Sequence, residues 1–335
     1  MILIISQNEV EESTNHVIDW LDFLQAKYVR VNGADFEVNS DISLELDGFK
    51  NLFEVNNDQF NLSNNNNNIN VIWYRRWSNK DFFKSAYLPE SSDQLEHQMA
   101  NHLHREFLSV SMAWFSMFED KIWLNQPSSL TRSRNKIEIL RKAKNVGLKI
   151  PNTLITNKKK ILINFLKRNG RIITKCSSDI AAFNYKNLGY THYTVEIEEN
   201  EIDDMPNKFF PSLFQNFIDK QYEIRTFYLS GDFYSMAIFS QENIGTKLDF
   251  RRYALENPNK EVPYNLPIGI KDKLHKLMLS IDLNCGSIDL IRCKNGDYFF
   301  LEVNPLGQFG MVSIPCNYFI EESLAKFLIS KDQPI

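Results

Sequence analysis

Asp289, Glu302 and Asn304 carry oxygen ligands at a spacing that can hold a hard cation. Ser287 to Cys293 and Tyr298 to Val303 are two β-rich runs separated by Asn295-Gly296, a strong hairpin signal. A two-residue turn at Asn295-Gly296 pairs Lys294 with Asp297, and counting back then sets Asp289 opposite Glu302. Asn304, two residues on, shares the face of Glu302 because strand side chains alternate. Opposed side chains sit about 5 Å apart at Cβ, where two carboxylates repel unless a cation compensates them. Two carboxylates and an amide suit Mg²⁺, which also takes oxygens from substrate phosphates. The bland reading, two acids on a solvated hairpin face, is weighed against the Phe299-Phe300-Leu301 context and the Pro305-Leu306-Gly307 turn, both of which favour a site.

Other segments must bring counter-charges to these acids. Asn135-Lys136 opens a helix with Ile137, Leu140, Ala143 and Val146 expected on one side, Gly147 as its stop and Pro151 beyond. Arg171 to Lys175 reads as a strand ending in a lysine. Tyr222 to Leu229 alternates, turns at Ser230-Gly231-Asp232 and returns as Phe233 to Phe239, with Glu223 and Arg225 on one face. Arg251 and Arg252 would point to opposite sides of a strand, so one of them can enter a cleft. A guanidinium grips a carboxylate through two parallel hydrogen bonds, and Arg251 is assigned that task. A helix from Lys271 to Ile281 leads back to the hairpin.

The N-terminal part begins as β-α-β: Met1 to Ser6, an amphipathic helix over Thr14 to Leu24, then Tyr28 to Asn32. No glycine-rich turn follows the first strand, which argues against a Rossmann dinucleotide site. Ser40 to Asn70 holds short strand-like pieces and the exposed run Asn64 to Asn68. Val71-Ile72-Trp73-Tyr74-Arg75-Arg76-Trp77 is a strand ending in two arginines between aromatics. It reads either as core packing with solvated arginines or as an anion or peptide contact. Ser92 to Phe118 is a long helix whose His97, His102 and His104 lack metal-site spacing.

The chain has 335 residues, 43% hydrophobic and 24% charged, enough for two or three subdomains. A net charge of −4 gives no electrostatic case for nucleic-acid binding. The four cysteines form no CxxC pair and read as reduced thiols, the opening MILIIS is too short for a signal-peptide core, and no run could span a membrane. A cytoplasmic protein is expected.

The strand with Asp289, the strand LEVNP and the ordered segments before them resemble the ATP-grasp superfamily, whose members activate a carboxylate as an acyl phosphate. The resemblance implies an α/β (α+β) fold with an N-terminal α/β domain (1–124), a central subdomain with a lid (125–214) and a C-terminal antiparallel-sheet subdomain (215–335). It implies ATP and two Mg²⁺ ions, with Asp289, Glu302 and Asn304 on metal and Lys136 and Lys175 on phosphate. Gln215, Asn216, Phe217 and Ile218 would form the hinge that receives adenine, Glu223 a nucleotide contact, and Arg225 the group at the reacting phosphate. The segment 176–190 is poorer in glycine than many ATP-grasp lids, and Asn216 stands where many relatives have glutamate.

Within the superfamily, VIWYRRW, NKIEILRKAKNVGLKIPNTLIT, FQNFIDKQYEIRTFYL, LDFRRY and LEVNPLGQFG resemble the graspetide synthetases, in particular the maturases of grasp-with-spasm systems. Such enzymes join Asp or Glu side chains of a ribosomal precursor peptide, made of leader and core, to Ser, Thr or Lys side chains. They commonly dimerise, so a homodimer is expected. The acidic run Glu196 to Asp204 is either a solvated surface or a contact for a basic leader. Two alternatives stand beside this expectation: a carboxylate-amine ligase adding free amino acids to a small molecule or a protein terminus, and a non-catalytic, nucleotide-dependent peptide-binding adaptor.

Overall fold

The computed structural model describes residues 1–7, 11–38, 40–46, 51–56, 61–63, 68–77, 94–178, 182–185, 188–191, 193–242 and 258–332. These fall into two compact units, Met1–Gln126 with Ile320–Ile335, and Pro127–Phe319. The expected subdomains 125–214 and 215–335 thus share one unit, except that the last helix belongs to the first.

In the first unit, β1 (Ile2–Ser6), α1 (Glu12–Phe23) and β2 (Tyr28–Asn32) form the expected β-α-β, followed by α2 (Gly33–Val38). Strands β3 (Asp41–Leu46), β4 (Asn51–Asn56) and β5 (Asn61–Ser63) make a separate antiparallel sheet. The chain returns through β6 (Val71–Tyr74), α3 (Gln94–Ser116) and β7 (Ile122–Leu124), giving a parallel sheet in the order β2-β1-β6-β7. Every residue of β1 is buried, as a strand covered on both faces requires. Leu3, Ile5 and Ile72 face an aromatic cluster that includes Phe36, Trp77, Phe107, Trp114 and Trp123. The helix Ile320–Lys331 packs with α1 and β6, and Asn70 donates to Asp332 (2.8 Å).

The second unit opens with α4 (Pro127–Ser133) and α5 (Lys136–Asn145). Asn135 caps α5 by accepting the Glu138 amide, and Gly147, at φ +82°, ends it. Its buried side is Ile139, Leu140 and Ala143, while Ile137 is exposed. Ile137 falls at the edge of the expected stripe, and Lys136, one turn before Ile139 and Leu140, lies on its inward side.

Strands β8 (Thr153–Lys158) and β9 (Ile172–Lys175) flank α6 (Lys159–Asn169). The hairpin β10 (Ala182–Tyr185) and β11 (Leu188–Thr191) occupies the segment expected to be a lid. Then come β12 (Val195–Ile197), α7 (Glu199–Asp204) and β13 (Lys208–Asn216), and the sheet order is β12-β9-β13-β8. Its core is Leu162, Phe165, Ile172, Ile197, Ile202 and Phe214.

The last part is a five-stranded antiparallel sheet, β16-β15-β14-β17-β18. It contains β14 (Lys220–Leu229), β15 (Asp232–Phe239), β16 (Lys260–Tyr264), β17 (Cys285–Cys293) and β18 (Tyr298–Asn304), with α8 (Ile268–Ser280) before β17 and α9 (Gly310–Cys316) after β18. The turn between β14 and β15 holds Ser230 and Gly231 at positive φ, as a two-residue hairpin on a twisted sheet requires. Leu274, Leu277 and Met278 are the buried residues of α8, as expected, each stabilising by roughly 1.5–3 kcal/mol. No described helix is long and apolar enough to cross a membrane.

Candidate active site

Asp289 pairs with Glu302 and Ser287 with Asn304, the expected partners. The route to that register differs from the two-residue turn. Gly296 donates to Cys293 O (3.0 Å) and Cys293 donates to Asp297 O (2.9 Å), so the loop has three residues, with Gly296 at φ +99°. This moves the first pairs by one residue, to Arg292 with Tyr298 and Leu290 with Phe300. A bulge at Leu301 moves them back. The two offsets cancel at the acids. The bulge also lets consecutive residues serve one side of the sheet: Leu301 lines a cavity with Ile291, and Glu302 faces Asp289.

Each carboxylate has its own cation. Arg225, paired across the sheet with Asp289, places one guanidinium nitrogen 2.8 and 2.7 Å from the two carboxylate oxygens. Both side chains are about nine-tenths buried. Lys136 Nζ lies 3.1 Å from Glu302 Oε2, both largely buried. The sequence expectation that a cation must compensate the opposed acids is corrected: side chains from α5 and β14 supply the charge balance.

Asn304 is exposed at the end of β18. Its cross-strand partner Ser287 is fully buried, and its Oγ has no hydrogen-bond partner. The turn after Asn304 lies against the start of β17: Gly307 has φ +42° and donates to Asn304 O (3.1 Å). A Cβ on Gly307 would come within 3.0 Å of Ser287 N and 3.1 Å of the Phe227 ring. Only glycine fits, so this turn sets where the chain leaves Asn304. Asp289, Glu302 and Asn304 offer hard oxygens along one strand pair, with an unpaired buried hydroxyl beside them, a donor set that fits Mg²⁺ with nucleotide phosphates.

A narrow cavity alongside is lined by Ile173, Lys175, Gln215, Phe217, Ile218 and Leu301, among others. Lys175 and the hinge residues thus come together. Gln215 is fully buried; its Nε2 donates to Thr153 Oγ1 (2.9 Å) and its Oε1 has no partner. Asn216 has a structural task, accepting the Asn152 amide at 2.6 Å. The amides of Asn216 and Phe217 donate to Asn152 O and Arg171 O, whereas the Ile218 amide has no partner among the described residues.

Glu223 sits on the same side as Arg225 and is buried with Lys220, its ion-pair partner, and Ser240, whose hydroxyl donates to it at 2.9 Å. Burial pushes the Glu223 carboxyl above the ordinary carboxylate range, against the opposing pull of Lys220 and Ser240. Lys220 reaches it because the pairing of β14 with β17 shifts between Lys220 and Tyr222. Sequence alternation gave no hint of Lys220, Ser240 or Ser287.

Arg251 and the segment Lys247 to Tyr253 lie outside the described residues. In VIWYRRW, Trp73 and Trp77 are core, as the packing reading expected, but Arg75 is buried rather than solvated. In the acidic run, Glu196 pairs with Arg171 (2.5 and 2.7 Å), and Glu198 and Glu201 form the capping box of α7. Those three acids are committed to the fold. All four cysteines are free.

The fold is the one seen in solved ATP-grasp ligases. No protein-family profile matches the sequence, and no curated protein is similar enough to align with it. Among solved structures, the chain is similar to a Chryseobacterium gregarium RiPP-associated ATP-grasp ligase in complex with ADP, and a leader and core peptide, at 22% identity, TM-score 0.81, and 99% and 97% of the two chains. It is similar to the macrocyclase MdnC of Microcystis aeruginosa MRC, bound with precursor peptide MdnA, at 23% identity, TM-score 0.79, and 98% and 100% coverage. A third is the ATP-grasp ligase PsnB complexed with minimal precursor, Mg, and ADP, at 17% identity, TM-score 0.76, and 99% and 97% coverage.

Proposed function

We propose that the protein is an ATP-dependent macrocyclising ligase that joins Asp or Glu side chains of a ribosomal precursor peptide to Ser or Thr hydroxyls or Lys amines. The observation that carries this reading is the pairing of Arg225–Asp289 with Lys136–Glu302 beside the hinge cavity, in a chain whose whole length follows ligases bound to peptides and ADP. In this reading Asp289, Glu302 and Asn304 hold Mg²⁺, which would neutralise charge on the transferring phosphoryl group. Lys136 and Lys175 position phosphates, and the Ile218 amide and Gln215 receive the base.

A substrate carboxylate oxygen attacks the γ-phosphorus and ADP leaves, giving an acyl phosphate that Arg225 steadies. The peptide hydroxyl or amine then attacks the carbonyl, its proton passes to solvent and phosphate departs. Arg251 remains the proposed grip on the substrate carboxylate, and a homodimer the proposed assembly.

The test is mass spectrometry of acidic candidate precursors incubated with protein, ATP and Mg²⁺. The expected result is loss of one water per ADP formed. Turnover with free amino acids and none with any peptide would overturn it in favour of a small-molecule carboxylate-amine ligase.

A further inference from the structure

Arg171 joins three parts of the central sheet that the reaction proposed above treats separately. It stands just before β9, and its carbonyl accepts the Phe217 amide at 2.9 Å. Its guanidinium carbon lies 3.7 Å from the centre of the Phe217 ring. Its Nε and one terminal nitrogen donate to the two oxygens of Glu196 at 2.5 and 2.7 Å. One arginine therefore holds both the backbone and the ring of a hinge residue, and a carboxylate on β12 holds the arginine.

The register of the sheet explains the meeting. Glu196 pairs with Ile173, and alternation puts Arg171, two residues before Ile173, on the same side. Ile173 and Phe217 both line the hinge cavity, so the ion pair stands at the rim of that cavity. A cation 3.7 Å from a ring centre can lie only over the face of the ring. It closes one face of Phe217 and leaves the other face and the edge to the cavity. The segment holding the hairpin β10–β11 departs from β9 and returns to β12, so the same ion pair ties the two roots of that segment together. An isolated surface ion pair contributes little; this one is bidentate, which fixes the plane of the guanidinium as well as its position. The hydrogen bonds from Arg171 hold the Glu196 carboxyl below the ordinary carboxylate range, so the pair stays charged at neutral pH.

We propose that Arg171 is a positioning residue for the nucleotide base: clamped by Glu196, it fixes the Phe217 ring as one wall of the base site from outside the cavity. This rests on the reading of the hinge cavity as the place where adenine binds. None of its hydrogen bonds or ion pairs among the described residues reaches Lys136, Lys175, Asp289 or Glu302, so its loss should be felt by the base and not by the phosphates.

The test is calorimetric titration of the full chain with Mg²⁺–ADP and, as a base-free probe, Mg²⁺–tripolyphosphate. The Arg171 side chain is 59% exposed, so its variants should keep the wild-type melting temperature. Arg171→Met is expected to weaken ADP about fivefold, the effect of one cation–ring contact, while tripolyphosphate binds as in wild type. Arg171→Lys should recover part of the loss, since an ammonium still attracts both ring and carboxylate, and Glu196→Gln should weaken ADP in the same direction by less. In peptide-dependent turnover the KM for ATP should rise in Arg171→Met with kcat unchanged. ADP bound by Arg171→Met as tightly as by wild type, or ADP and tripolyphosphate weakened by the same factor, would overturn the positioning role and leave the ligase reading standing. A wild-type protein that binds no ADP would sink the ligase reading, and the positioning role with it.

Discussion

Lys136 Nζ rests 3.1 Å from Glu302 Oε2, so the amine assigned to phosphate and the carboxylate assigned to metal neutralise each other in the free protein. On the proposed reading, loading the site with nucleotide and metal would exchange one ion pair for two, the amine moving onto phosphate as the cation takes the carboxylate.

Metal affinity should follow from that exchange with opposite signs. In Lys136→Met, Glu302 loses its competitor, so Mn²⁺ alone should bind several-fold more tightly, a gain of about 1 kcal/mol for a partly exposed pair. Binding of the metal–ATP complex should weaken by about tenfold or more, because phosphate loses a charge-assisted hydrogen bond. Paramagnetic resonance of Mn²⁺ with and without ATP reads both, and a loss of both affinities together would contradict the exchange.

Arg225 and Asp289 are buried as a pair, and breaking one side leaves the other charged in an apolar sheet. Arg225→Met is expected to cost about 3–5 kcal/mol of folding stability, and the double variant Arg225→Met with Asp289→Leu distinctly less than the sum of the singles. Denaturant unfolding of the four proteins gives the coupling; additive losses would show that the bond is incidental.

Gly307→Ala forces a side chain into a left-handed backbone position and against Ser287 N and Phe227. About 1–3 kcal/mol of stability should be lost, together with metal–ATP affinity, since the turn fixes the end of β18. A variant as stable as wild type in calorimetry would refute the close fit.

Glu223 sets a pH dependence whose sign can be worked out. Its folded carboxyl lies above the ordinary value of 4.5, so the folded state holds the proton more tightly than the unfolded chain. That contribution is complete below about 4.5 and is lost as pH rises through the folded value. Glu223→Gln removes it, so the stability difference between wild type and variant should move in the variant's favour as pH rises above 4.5. A constant difference across that window would mean that Lys220 and Ser240 hold the carboxyl near its ordinary value.

Much of the site was legible in local sequence. Asn135 as a cap, Gly147 as a stop, the Ser230-Gly231 turn and the alternation that puts Glu223 and Arg225 on one face are short-range signals, and the structure bears each of them out. The pairing of Asp289 with Glu302 was read correctly through two errors that cancel. Asn-Gly suits both a two-residue and a three-residue loop, and nothing local marks Leu301 as an extra residue. The contact of Lys136 with Glu302 depends on which strand α5 packs against, and that of Lys220 with Glu223 on a register shift, neither of which the periodicity of the sequence encodes. The burial of Arg75 was not legible, because a strand ending in arginines reads the same whether its end is covered or bare.

The return of the helix Ile320–Lys331 to α1 and β6 makes the first unit discontinuous in the chain, with Pro127–Phe319 inserted between its two pieces. A ribosome making this chain delivers the second unit whole while the first still lacks a packing helix. The N-terminal sheet, whose strands all precede residue 127, therefore gains this packing helix only after Pro127–Phe319 has been made, and a stop codon near residue 319 would spare the neighbouring sequence and uncover the distant one.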